Sequence, residues 1–194
     1  MAAAGVLFQV DMDVMTRDVT ATARLHPLTG VLSNLGILLW SAAASICAFA
    51  AMNLRNVRPR EPFWFLLSSA LLSAYLLFDD FFLFHDELAP RHLGVHEKVV
   101  YAALGIAVSA CLIAFGRVIL RTNFGVLLLA LGFLAASVVM DAMLEPWLQR
   151  LDHWEYFLED GAKWLGIACW CSYCVRTSYQ LAAGQMAARK FSQP

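Results

Sequence analysis

Charge is scarce in this sequence. Asp, Glu, Lys and Arg make up 15% of its 194 residues, where an ordinary soluble domain carries about 25%. The other absences are as informative. The first residues, MAAAGVLFQVDMDV, hold acids where a secretory signal peptide holds basic residues, so the N-terminus is expected to be retained. No cysteine lies in a connecting loop: Cys47, Cys111, Cys169, Cys171 and Cys174 all fall in apolar stretches, which excludes a disulfide framework. The Cys-x-Cys-x-x-Cys spacing of the last three scatters their sulfurs around one helix, so they are read as small buried apolar residues. P-loop, HExxH and GxSxG motifs are missing, as is the paired Glu-x-x-His of di-iron bundles. Internal repeats and low-complexity segments are also absent. A formal net charge of −1 gives no footing for nucleic acid.

What is present is apolar sequence in long runs. Hydrophobic residues make up 60% of the chain and the mean hydropathy is +0.63. Runs of this length predict an all-α integral membrane protein, a bundle of about five transmembrane helices whose first partner is the lipid bilayer. The expected spans are about 31–54, 62–84, 99–116, 123–141 and 156–175, inside a transmembrane domain at 29–182. The fifth is the least regular, because reaching membrane length draws Glu159, Asp160 and Lys163 inside it. Residues 1–28 are expected to form an extracytoplasmic arm or a surface amphipathic helix, and residues 183–194 a cytoplasmic tail. The face holding Arg55, Arg58, Arg60, Arg117, Arg121, Arg176, Arg189 and Lys190 outweighs the other in Lys and Arg. The positive-inside rule therefore puts the N-terminus outside and the C-terminus in the cytoplasm, in a cell (inner) membrane.

Acids are distributed the opposite way. Of the 15 Asp and Glu residues, only Glu61 falls on the basic side, and all 5 histidines fall on the outer side. Helix rise turns this asymmetry into depth. Asp79 and Asp80 lie roughly 25–27 Å above Pro62 at 1.5 Å per residue, and Asp141 reaches about the same height above Asn123. Glu159 and Asp160 come to roughly 24–26 Å above Arg176. His96 and Glu97 sit slightly higher. A layer of carboxylates thus lies just inside the outer boundary of a ~30 Å hydrocarbon core. Each unpaired anion there costs about 2.5–3.5 kcal/mol even on the lenient insertion scale.

These acids are expected to face one another with a cation, a proton or water between them. Lys163, four residues after Glu159, is in the favourable order for a helical ion pair, but one lysine cannot neutralise the whole layer. Either some carboxyls are held neutral or a divalent metal sits among them. Histidine with carboxylates suits zinc, and carboxylates alone suit calcium, magnesium or manganese. The candidate ligands are Asp79, Asp80, His85, His96, Glu97, Asp141, Glu159 and Asp160, with Lys163, Glu145 and His92 as further polar residues of the site. His92 and His96 would stack on one helical face, although Pro90 and Gly94 fit a loop equally well. Asp86, Glu87, Asp152, Glu155 and His153 read as solvated rim. Tyr101 and Trp64 read as aromatic belt, and Ser68, Ser69 and Ser73 as helix contacts.

Three functions follow as expectations. The first is a metal-dependent hydrolase of lipid-like substrates, the metal activating water and a carboxylate serving as base. A proton- or cation-conducting transporter or channel is the second, weakened by the lack of a Gly- or Pro-broken pair of spans. The third is a non-catalytic accessory subunit, bound to its own copies or to another membrane protein through stretches such as Ser41-Ala-Ala-Ala-Ser45.

Overall fold

The computed structural model describes residue 14, residues 16–141 and residues 154–192, and among them every regular element is helical. The chain divides into two units, Met1–Val31 and Leu32–Pro194. Within the first, one helical turn, Val19–Thr22, is capped by Asp18, whose carboxylate accepts from the Ala21 N–H at 3.0 Å and the Thr20 hydroxyl at 2.5 Å. The Thr20 hydroxyl bond, then the Ala21 amide, lowers the Asp18 pKa below the usual carboxylate range.

Among its described residues the second unit holds five α-helices: α1 (Val31–Leu54), α2 (Glu61–Phe82), α3 (Glu97–Ile119), α4 (Phe124–Val139) and α5 (Trp154–Ser192). Three of them, α1, α2 and α3, are long and apolar enough to cross a membrane. α4 is apolar but has 16 residues, or roughly 24 Å of rise. α5 has 39 residues and runs far beyond the 156–175 expected. α3 extends past both ends of its expected span, whereas α4 falls short of its own at both ends.

Sequence spacing explains how the helices pack. On α1, Trp40, Ala43, Cys47, Ala50 and Leu54 are buried at alternating steps of three and four, which forms one seam along the helix. α2 buries Phe65, Leu66, Ser69, Ala70 and Ser73, two adjacent rows each with a step of four on one face. The most extensive helix contact is α4 on α5. Gly166 permits it, since a Cβ there would lie 2.9 Å from the Leu134 backbone nitrogen. Trp40 and Trp170 meet at 6.2 Å between ring centroids in the centre of the core. By contrast, only 6% of the apolar stretch of α3 is buried within the molecule, against 39% for α1.

The link between α2 and α3 is a ten-residue π-helix, Phe84–Leu93, where the sequence suggested either continued α-helix or a loop. Leu83 adopts φ 50°, ψ 47°, which breaks α2, and the Leu88 N–H then donates to the Leu83 carbonyl five residues back. The segment ends at Gly94, φ 64°. Positive φ suits glycine but strains leucine. π-helices are rare and concentrate at functional sites.

Candidate functional site

The π segment turns the chain back onto the end of α2, and Asp79 receives it. One Asp79 oxygen accepts the His85 backbone N–H at 3.1 Å, so the carboxylate caps the new segment. The other lies 2.7 Å from His85 Nδ1. Both residues are buried, each 6% exposed. On the far side of the ring, Nε2 lies 3.2 Å from an Asp86 oxygen, whose side chain is 48% exposed. His85 therefore links a buried carboxylate to one open to solvent. The Tyr101 ring lies 5.0 Å from the imidazole, centroid to centroid, and its hydroxyl donates to Asp141 at 3.0 Å.

Asp80 belongs to a second, adjoining group. Its Oδ2 accepts from Trp40 Nε1 at 2.8 Å and its Oδ1 lies 2.8 Å from Lys163 Nζ. These bonds join α1, α2 and α5 at one height. One turn or more below, Ser73 Oγ accepts from Trp170 Nε1 at 2.9 Å and donates to the Ser69 carbonyl at 2.8 Å.

Asp79 and Asp80 lie near the end of α2 and Asp141 just beyond α4, and Asp141 and Asp79 are both close enough to Asp86 to raise its carboxyl. Asp79, Asp80 and Asp141 are each matched to a donor from another segment: an imidazole, an indole with an ammonium, and a phenol. Lys163 reaches Asp80 across the bundle, an ion pair the sequence did not suggest, and the Asp80 side chain is 11% exposed there. Glu159 is half-buried and Asp160 exposed. His96 and His92 do not stack: His92 is exposed in the π segment, and His96 caps α3, its Nδ1 accepting the Lys98 N–H at 3.3 Å. Glu97 is half-buried in the first turn of α3. Glu145 lies outside the described residues, as do Asp152 and His153. Among the described residues, no group of three or more His, Cys, Asp or Glu side chains is arranged to hold a metal ion.

Sequence reasoning missed Trp40, Asp86 and Tyr101. Trp40 lies mid-helix with no neighbouring charge, and Tyr101 looked like aromatic belt. The signal for Asp86 was available: it directly follows His85, a few residues after Asp79 and Asp80.

Burial pushes the His85 imidazole down, but the Asp79 hydrogen bond and charge outweigh it, with Asp86 adding to them, so the net shift is upward. Burial raises the Asp86 carboxyl above its usual range despite opposition from His85 and Lys163. The consequence is a proton-counting constraint. A neutral imidazole has one N–H, whereas His85 faces carboxylate oxygens at both nitrogens. Satisfying both contacts takes one more proton, held either by the ring or by Asp86.

A family model described as "Domain of unknown function (DUF8692)" matches residues 1–177. Neither the curated proteins nor the solved structures give a match.

Proposed function

We propose that this chain, which belongs to the DUF8692 family, is a five-helix integral membrane protein that binds and releases a proton at the outer end of its bundle. In this reading α4 and the apolar part of α5 complete the spans begun by α1, α2 and α3. The N-terminus is outside, the C-terminus is cytoplasmic, and the location is the cell membrane. The observation that carries the function is His85 between two carboxylates, 2.7 Å from Asp79 and 3.2 Å from Asp86. Histidine titrates near neutral pH, and a buried carboxylate fixes its orientation. Asp86 provides the route to solvent.

The proton exchanges with the outside rather than crossing the bundle. Beneath the layer, Trp40, Leu66 and Trp170 fill the core, and the Ser73 hydroxyl is already engaged on both sides. The bound proton then acts on the helices: it decides whether the π segment stays docked on Asp79, and so how α2 and α3 are joined. A pH-responsive membrane protein fits this arrangement better than a conducting one.

Nitrogen NMR of histidine-labelled protein in nanodiscs is the direct test. His85 should show both ring nitrogens protonated at about pH 6 and lose one as pH rises, with Asp79→Asn moving the transition down. A singly protonated, non-titrating ring from about pH 5 to about pH 9 contradicts the reading.

A divalent metal on His85 Nε2 is the second reading, favoured by the Asp79–His85 contact, since metal-bound histidines usually rest their other nitrogen on a carboxylate. Asp86 would be the second ligand, and water or substrate would complete the shell. A zinc-dependent hydrolase of lipid-like molecules falls under this reading. Elemental analysis separates the two: stoichiometric metal, lost in Asp86→Asn, favours it over proton exchange.

A further inference from the structure

At the opposite end of the bundle, the loop before α2, the last turn of α3 and the lower part of α5 line an open cleft of about 400 Å³. That volume is within the ~300–1,000 Å³ of small-molecule sites. Arg117 and Arg121 supply its cationic wall, Pro59 and Pro62 a rigid rim, and Leu181 an apolar surface. Glu61 is the one acid in the lining. Neither arginine forms an ion pair among the described residues, Glu61 included. Two guanidiniums left unmatched at a cleft contrast with the acid layer, where each buried charge has a partner.

We infer that this cleft binds the phosphate of an anionic phospholipid headgroup at the cytoplasmic boundary. Guanidinium forks match phosphate oxygens in bidentate fashion. Basic pockets between helices on the cytoplasmic side are suited to such headgroups. Leu181 and Val118 give the cleft an apolar side, which a lipid's glycerol and upper acyl carbons would cover and a free phosphate would not. The site rests on the membrane assignment above and is independent of His85.

The test is native mass spectrometry of the full-length protein with phosphatidylglycerol and phosphatidylcholine. Both lipids carry the phosphate, but phosphatidylcholine would also hold its quaternary ammonium against the two guanidiniums. Phosphatidylglycerol should therefore be retained about tenfold more, the size of one such charge interaction. Arg117→Gln/Arg121→Gln should abolish that preference. Arg117→Lys/Arg121→Lys, which keeps charge but loses the fork, should reduce it, and it replaces the Gln variant if that one does not fold. Arg55→Gln/Arg176→Gln, on the same side but outside the cleft, should leave it unchanged. Equal retention of the two lipids overturns the proposal, as does an equal loss in the Arg55/Arg176 variant. Complete displacement of the lipid by inorganic phosphate would assign the site to free phosphate instead. A chain that needs no detergent would refute the membrane assignment itself, a result distinct from any of these.

Discussion

A single imidazole with a carboxylate at each nitrogen makes stability depend on pH in a definite direction. His85 has a raised pKa in the folded protein, so the stabilisation it brings is complete below its unfolded value of about 6.5 and is lost as pH rises through the folded value. Asp86 acts in the same sense from about pH 4 upward, because the folded state holds its proton longer than the unfolded chain does. The thermal midpoint in detergent should therefore fall as pH rises from about 6 to about 8, and Asp79→Asn should flatten that slope. A midpoint that rises over the same interval is inconsistent with the site as described. Asp80 offers a second test at this scale. Trp40→Phe removes the indole N–H and leaves a cavity where its second ring packed, at a cost of about 1–3 kcal/mol for the lost hydrogen bond with the cavity adding to it. Lys163→Met should cost a comparable amount, limited by the exposure of the lysine side chain. Adding Asp80→Asn to Lys163→Met should recover part of the loss, as chemical denaturation of the three variants can show.

At the scale of elements, the π segment and the α4–α5 contact make opposite demands on glycine. Leu83 is at positive φ and half-exposed, so Leu83→Gly removes strain at little packing cost. It should leave stability unchanged or raise it by up to ~1 kcal/mol. Gly94 also has positive φ, and nothing lies within 4 Å of where its Cβ would be. Gly94→Ala should cost about 1 kcal/mol from backbone conformation alone. Gly166→Ala is a different kind of defect, because its methyl would meet backbone on α4. About 1–3 kcal/mol is expected there, the usual penalty for overpacking. Hydropathy in the sequence located the apolar runs of α1, α2 and α3, whereas the 40-43-47-50-54 seam on α1 stands out only once the buried face is known. The sequence did not show the π-helix. Pro90 and Gly94 signal only that an α-helix cannot continue, and what replaces it depends on Asp79 accepting the His85 amide.

For the whole molecule, the places of Asp79, Asp80 and Asp141 along the chain were legible because rise per residue is fixed in a helix. Two of the partners were not, because they reach across the bundle: Trp40 and Asp80 are 40 residues apart, as are Tyr101 and Asp141. Depth along a helix is a one-dimensional quantity, whereas pairing depends on how helices rotate about their axes. The proposed topology predicts that a thiol placed at Val57 reacts only with reagents on the cytoplasmic side, and one at Val95 only with reagents outside. Labelling with membrane-impermeant maleimides, in a background without the native cysteines, checks both. In the proposed topology the layer's height would also fix its response to voltage. A charge crossing the whole membrane gains about 2.3 kcal/mol per 100 mV. A proton moving from outside to a site roughly 26 Å up a ~30 Å core traverses little more than a tenth of that field. Its occupancy should shift by only about 0.3 kcal/mol per 100 mV, so His85 would follow external acidity almost regardless of whether the cell is energised.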